Sequence, residues 1–342
     1  MFISGISCGA VSVISPMYIA DISDVSMRGI LGSFFEFLIY TGVILVSVCG
    51  AYVHYITLTI ILGFCSLIIG LAFLFFPESP TYLLKIGQKD KATIALKYYR
   101  SVDYDVSKDI DQLLNNFQHL HQNKLNIKKL LTTKCVVRGL VACVGLTLFQ
   151  QLSGVDAIIF YSVQVFDEAD TGLNSYMLAI ILSIFQLLSA VLIVFIIEKA
   201  DRRVFLFIST FGCGASSAML GVYFNLKDKS ISFLGFNYIP LVCMIIHSVT
   251  FAFGLGPIPW LMNGDLFPHE VKGVANGIII FSNWIFLFVV TKTFPISMED
   301  IGRCFPFYFY SMCMVICLMF INYCIPETRG KTLDQIQVEL NS

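Results

Sequence analysis

FQQLSGVDAIIFYS, residues 149–162, places two amides and a carboxyl group inside a long apolar segment. Gln150, Gln151 and Asp156 stand there among Leu, Val, Ile and Phe. Polar side chains in hydrocarbon are costly and usually face a cavity or a partner helix. The stretch therefore indicates either a polar site between membrane helices or hydrogen bonds that join one helix to another.

The composition of the whole chain is that of a membrane protein. Of the 342 residues, 57% are hydrophobic and 13% are charged, whereas about a quarter of the residues of a soluble protein carry charge. The net charge of -1 indicates no strongly charged partner, and nucleic-acid binding is not expected. The 11 cysteines include no C-x-x-C pair and are interpreted as small packing residues. No cofactor or metal is predicted.

A membrane helix needs about 20 mostly apolar residues, and nine segments meet this requirement, which predicts an all-α membrane protein. They are 1–20, 30–52, 55–76, 136–163, 174–197, 204–224, 238–262, 271–294 and 306–325.

The basic residues predict how these spans are oriented. Eighteen of the 22 fall in one set of alternating loops, and the other set holds only Lys227, Lys229, Lys292 and Arg303. The positive-inside rule then places the C-terminus in the cytoplasm. The predicted organisation has four parts. They are a three-helix N-terminal part (1–76), a cytoplasmic helical linker (77–135), a six-helix bundle (136–325) and a cytoplasmic tail (326–342).

Two motifs repeat at nearly the same spacing. MRGILGS at 27–33 matches VKGVANG at 271–277, and PESPTYLL at 77–84 matches PETRGKTL at 326–333. Helices seven to nine therefore look like a copy of helices one to three, while helices four to six have no copy. A protein of six plus six helices without its first three fits this arithmetic.

The seventh helix carries GLGPIPWLMNGDLFP, residues 254–268. Gly256, Pro257 and Pro259 predict a break in the helix, which a membrane protein tolerates where the backbone lines a cavity. Trp260 follows the break and offers a flat apolar face suited to a sugar ring. Asn283 in the eighth helix adds an amide. Taken with the glutamines, these residues favour a solute site, although each alone is explained by packing.

Other polar residues leave alternatives open. Glu36, in the second helix, binds a proton, is hydrogen-bonded to a neighbouring helix, or reaches water by snorkelling. His247 is interpreted as a core histidine. GISCG at 5–9 matches a nucleophile pattern, but it lies in a membrane helix, so small-residue packing explains it better than an enzyme does. Charges of both signs recur at the predicted cytoplasmic helix ends, where they favour a gate network over ordinary topology signals. They are Asp21, Arg28, Glu78, Glu198, Lys199, Asp201, Arg202, Arg203, Asp265 and Glu327.

Seven motifs together resemble the sugar porter family of the major facilitator superfamily, most of all the facilitated trehalose transporters of insects. They are PMYIADISDVSMRG (16–29), PESPTYLL (77–84), QQLSGVDAIIFYS (150–162), EKADRR (198–203), GPIPWLMNGDLFP (256–268), SNW (282–284) and PETRGKT (326–332). They occur in family order and match the family's fourth to twelfth helices. The resemblance implies a major facilitator fold lacking its first three helices, with alternating access around a central sugar.

Carried onto this chain, the resemblance implies that Gln150, Gln151, Trp260 and Asn283 contact sugar. Phe160 and Tyr161 would belong to an extracellular gate. The chain departs from the family pattern at two sugar-contacting positions, with Asp156 in place of Asn and Glu36 in place of Gln. It also has Asp at 21 and 265 where the family has Glu, Thr at 81 where it has Arg, and Asp at 201 where it has Gly.

The sequence therefore predicts facilitated diffusion of trehalose or a hexose across a membrane, most simply the plasma membrane. A proton-coupled symporter and a membrane protein that binds sugar without moving it remain alternatives. If three helices of one half are missing, we expect this chain alone to transport little.

Overall fold

Every element that the computed structural model describes is helical. The description covers residues 2–23, 28–100, 106–107, 110, 133–196, 201–231, 235–267 and 269–327. The chain divides into two compact units, one of residues 1–36 and 52–126, the other of residues 37–51 and 127–342.

The first unit contains α1 (Phe2–Ile22), the start of α2 (Arg28–Tyr52), α3 (Tyr55–Phe73), α4 (Pro80–Lys85) and α5 (Lys89–Tyr99). None of the residues of α3 is buried. The small core of this unit instead joins α4 and α5 through Leu83, Leu84, Ala92, Ala95 and Leu96. These residues are all leucine or alanine, and both residue types are strong helix formers.

The ends of α4 follow from its sequence. Ser79 caps the N-terminus, where its Oγ accepts a hydrogen bond from the N–H of Tyr82, and Pro80 stands at the first helical position. Gly87, at φ +80°, ends the helix. The N–H of Gly87 donates to Leu84 O and the N–H of Gln88 to Leu83 O, so α4 closes in a Schellman motif.

Side-chain hydroxyls connect α1 to the segment that follows α3. Tyr18 Oη donates to the carbonyl of Pro77 at 2.7 Å and lies 2.6 Å from Tyr99 Oη. Burial and this hydrogen bond with Tyr18 both raise the pKa of Tyr99. Ser79 Oγ donates to the carboxyl group of Asp21.

The second unit is built from the remaining helices and part of α2. They are α6 (Lys134–Leu152), α7 (Val155–Phe160), α8 (Ser162–Ala169), α9 (Ser175–Ile196), α10 (Arg202–Asp228), a 3-10 turn (Phe236–Tyr238), α11 (Ile239–Phe253), α12 (Pro257–Asp265), α13 (His269–Asp300) and α14 (Phe305–Cys324). Within it, α10 packs between α11 and α14, and α6 packs against α13. Ser47 of α2 hydrogen-bonds Ser183 of α9 at 3.1 Å.

Two groups of buried side chains fill this unit. One includes Leu146, Leu206 and Met262, and the other includes Phe166, Phe224 and Phe307. Phe224 and Phe307 stack with ring centroids 5.3 Å apart. The outward faces of the same helices carry many exposed large apolar residues, which is the pattern of helices surrounded by lipid.

Seven described helical segments are long and apolar enough to cross a membrane. They are Tyr55–Phe73, Lys134–Phe160, Ser175–Ile196, Arg202–Asp228, Phe236–Asn263, Val271–Asp300 and Phe305–Cys324. Ile3–Ser15 and Phe37–Tyr52 are shorter apolar helices. The prediction of an all-α membrane protein is confirmed, while the count of nine spans stays a prediction.

Gly154 provides a test of the turn between α6 and α7. It has φ +83°, and a Cβ added there would lie 2.4 Å from Cδ2 of Tyr310. We expect Gly154→Ala to lower the free energy of unfolding by about 2–5 kcal/mol, since backbone strain and overpacking combine. Thermal unfolding of the purified chain in detergent measures this.

Gly172→Ala is the matched control, because Gly172 has φ +73° but open space around the added methyl group. It should cost only the backbone strain, about 1 kcal/mol. Equal losses in both variants would show that the contact with Tyr310 contributes nothing.

Candidate functional site

The membrane segment that begins with α6 is broken at Ser153 and Gly154. The N–H of Gly154 turns to Gln151 O, and Gly154 becomes the N-cap of α7. Ser153 Oγ donates to the carbonyl oxygen of Gln150 at 2.6 Å. The carbonyl of Ser153 accepts from Nε2 of His247 at 3.0 Å. Because a carbonyl only accepts, Nε2 is the nitrogen that carries the proton.

A second break separates α11 from α12. The N–H groups of Gly254 and Gly256 both donate hydrogen bonds to Phe251 O. The N–H of Leu255 donates to Ser209 Oγ at 3.0 Å. A Cβ on Gly254 would lie 2.4 Å from the carbonyl oxygen of Phe205 on α10, so the close approach of the two helices requires glycine there.

Gln150 joins the two breaks. Its Nε2 donates to Leu255 O at 2.8 Å and to Gly256 O at 3.1 Å. Two carbonyls can accept only from the amide nitrogen, and this fixes which way the amide points. Gln150 is 5% exposed, and its Oε1 has no hydrogen-bond partner among the described residues.

Gln151 connects α6 to α13 and α7. Its Nε2 donates to Asn283 Oδ1 at 3.0 Å, and the carboxyl group of Asp156 lies close to the same side chain. Gln151 Oε1 is buried and has no partner in the part of the chain that the structure describes. The structure thus brings Gln151, Asp156 and Asn283 together, and it holds Gln150 at the neighbouring position of α6.

In both glutamines, the amide nitrogen therefore donates to other protein atoms, while the amide oxygen has no partner among the described residues. A buried acceptor without a donor lowers the stability of the fold by about 1–3 kcal/mol, so an unsatisfied buried oxygen needs an explanation. A bound molecule that carries hydroxyl groups would supply the missing donors. Trp284 Nε1 and Asn276 Oδ1, on α13, are also buried without partners.

The other predicted contact residues lie on neighbouring elements. Trp260 is half-buried on α12, just past the second break. Phe160, at the end of α7, is 62% exposed. Tyr161 donates from Oη to the carbonyl of Thr291 at 3.1 Å and packs on Phe294, with ring centroids 5.4 Å apart. The side chain of Glu36 lies outside the described residues.

The predicted charge network is described only in part. Glu198 and the side chains of Arg28 and Asp265 lie outside the described residues, and Glu78 is exposed. Glu327 accepts hydrogen bonds from the N–H groups of Arg202 (3.4 Å) and Arg203 (3.1 Å), at the start of α10.

Arg203 in turn donates from its guanidinium to Asn322 O at 2.9 Å and Ile321 O at 3.4 Å, in the last turn of α14. A carboxylate at a helix N-terminus and a cation at a C-terminus both complement the helix dipole. The contacts observed for these charges are thus with helix ends, and the gate network stays a prediction.

Sequence reasoning did not find the roles of Ser209 and His247. His247 is the expected core histidine, but it also binds the first break, and Ser209 binds the second. The signal that points to such partners is the break itself, since every backbone group that leaves a helix inside a membrane needs a donor or acceptor nearby.

Apolar helices with exposed apolar faces, two breaks and a polar interior define an integral multi-pass membrane protein with the architecture of a transporter. A model of the family "Sugar (and other) transporter" matches residues 1–340. The chain belongs to that family, whose members are transporters of sugars and other solutes and not enzymes.

Two relatives illustrate the similarity. The chain is 29% identical to a "Facilitated trehalose transporter Tret1-2 homolog" of Drosophila simulans, over 98% of this chain and 69% of that protein. It is 28% identical to "Facilitated trehalose transporter Tret1" of Bombyx mori, over 99% of this chain and 67% of that one.

Solved structures agree on the fold. The proton:xylose symporter XylE bound to 6-bromo-6-deoxy-D-glucose superposes with a TM-score of 0.74 at 22% identity, over 96% of this chain and 70% of that one. A partially occluded inward-open XylE from E. coli gives 0.76 at 24% identity, over 94% and 69%. The chain therefore has a major facilitator fold.

Glu327 allows a test of the helix-end contacts. We expect Glu327→Ala to lower the free energy of unfolding by about 1–2 kcal/mol, since the start of α10 loses its acceptor. Thermal unfolding in detergent measures the loss, and Glu299→Ala, at an exposed position of α13, is the control. Identical curves for the two variants would contradict the capping role.

Proposed function

We propose that this protein is part of a facilitated transport system for trehalose or a hexose, working by alternating access. The observation that carries the proposal is the pair of buried glutamine oxygens without partners in α6. A sugar is rich in hydroxyl donors, and each could satisfy one such oxygen. Trp260, on α12, would offer its flat face to the C–H groups of the ring.

The broken helices support this mechanism. In transporters built from repeats, substrate sites lie near the middle of the membrane, between helices that are discontinuous there. Here Gln150 stands beside one break and reaches the other. Asp156 lies in the first turn of α7, the short helix after the first break, and Tyr161, proposed as a gate residue, is the C-cap residue of that helix. Movement of α7 or α12 would therefore change the site directly.

Several parts of the proposal rest on the sequence pattern. Glu36 would complete the sugar contacts. The charges at the helix ends would form the cytoplasmic gate, with the C-terminus in the cytoplasm. The plasma membrane is the proposed location. This chain spans 69% of the length of the Drosophila simulans relative.

Proton-coupled symport is the second candidate, and Asp156 favours it. The carboxyl group replaces the amide that the family pattern has there, and it lies close to Gln151 within the proposed site. A carboxyl group can release and take up a proton, which an amide cannot do. Symport is supported over facilitated diffusion if sugar uptake depends on a pH gradient and this dependence is lost in Asp156→Asn.

Binding of labelled trehalose and glucose to the purified chain in nanodiscs tests the site. We expect Gln151→Ala to weaken binding about threefold to tenfold, because a hydrogen bond to a neutral hydroxyl contributes about 0.5–1.5 kcal/mol. Gln186→Ala is the control. Gln186 is also a buried membrane glutamine, but its Nε2 donates to Ser248 Oγ on α11 and not to a residue of the proposed sugar contacts.

Two versions reconstituted in liposomes test transport: the chain itself, and the chain extended by the part of the Bombyx mori relative that lies outside the match. We expect saturable uptake from the extended version. Absence of saturable binding of either sugar to both chains would overturn the proposed function. Equal binding losses in Gln151→Ala and Gln186→Ala would remove Gln151 from the site.

A further inference from the structure

A rung is missing from the hydrogen-bond ladder at the start of α12. The N–H of Ile258 donates to Gly254 O at 3.1 Å, as in a regular helix. The next rung would run from residue 259 to Leu255 O. Residue 259 is proline, which has no N–H. The carbonyl of Leu255 is therefore left without a donor from its own helix.

Gln150 supplies that donor from another helix. Its Nε2 lies 2.8 Å from Leu255 O, the shorter of its two contacts, and 3.1 Å from Gly256 O, the N-cap residue of α12. Leu255 is fully buried, and water is not available in a membrane interior to take the place of a lost donor. The amide thus replaces the backbone hydrogen bond that Pro259 removes.

We propose that Gln150 is a positioning residue that holds the broken helix in place, in addition to any contact with sugar. Its nitrogen fixes the backbone of α12 at Leu255 and Gly256, while Ser209 fixes the N–H of Leu255 from the other side. The backbone of Leu255 is then held by α6 and α10 together. Removal of the amide releases one of these two attachments.

The proposal deepens the proposed function, because the oxygen of the same amide is the atom offered to sugar. A hydroxyl group that binds Gln150 Oε1 acts on a side chain whose nitrogen holds α12. Occupancy of the site and the position of the break are then linked through one planar group. The attachment itself does not depend on the proposed function, and it exists without sugar.

Hydrogen exchange at residues 254–260, followed by mass spectrometry on the sugar-free chain in nanodiscs, tests the attachment. We expect Gln150→Met, which keeps a similar volume but has no donor, to raise exchange there about tenfold, since the break opens more easily. Gln151→Met is the control, because Gln151 has no bond to the break. An unchanged rate in Gln150→Met, or an equal rise in both variants, would overturn the proposal.

A proline substitution gives a rescue that a purely structural glutamine would not show. Pro259→Ala provides an N–H at the position that Leu255 O lacks, so it should return exchange in Gln150→Met toward the original rate. Pro257→Ala is the matched control, since its N–H would lie two residues before position 259 and would not complete the rung to Leu255 O. Rescue by both prolines alike, or by neither, would overturn the proposal.

Pro259→Ala alone covers the case in which Gln150→Met does not fold. With Gln150 intact, the extra donor should lower exchange at 254–260 below that of the original chain, and an unchanged rate would count against the proposal. If the original chain binds no sugar but hydrogen exchange rises in Gln150→Met, the attachment is supported and the proposed function is overturned. If Gln150→Met loses sugar binding but its hydrogen exchange without sugar is unchanged, the proposed function is supported and the attachment is overturned.

Discussion

Backbone groups that leave a helix inside a membrane must find a partner in the protein, because no water is present to replace one. This chain breaks two of its membrane helices, at Gly154 and at Gly254–Gly256. Each break frees backbone groups in the interior of the second unit. The arrangement of the polar side chains in that interior follows largely from where these groups are.

The two breaks support each other. His247, on the helix that contains the second break, donates to Ser153 O at the first. Gln150, on the helix that contains the first break, donates to Leu255 O at the second. Because each helix satisfies the backbone of the other, a shift of one of them disturbs the partners of both. Ser209 ties the second break to α10.

The sequence predicts much of this, within limits that have a physical cause. Apolar length gives the membrane helices, and Gly256, Pro257 and Pro259 give the second break, since these residues act on their own backbone. The pairing of Gln150 with Leu255, 105 residues away, cannot be read from local pattern. The same holds for Ser209, which has the ordinary appearance of a small residue in an apolar helix, and for the caps of α10 and α14, which depend on how those ends meet.

The chemistry of an amide explains why glutamine suits this place. A carboxylate offers only acceptors and would repel the carbonyls of Leu255 and Gly256, while a serine hydroxyl has a single hydrogen to donate. The amide gives both hydrogens to the break and keeps an oxygen that only a donor can satisfy. Gln151 divides its groups in the same way, with nitrogen toward Asn283 and a buried free oxygen. A ligand that binds beside these oxygens would have to donate hydrogen bonds to them, as the hydroxyl groups of a sugar can.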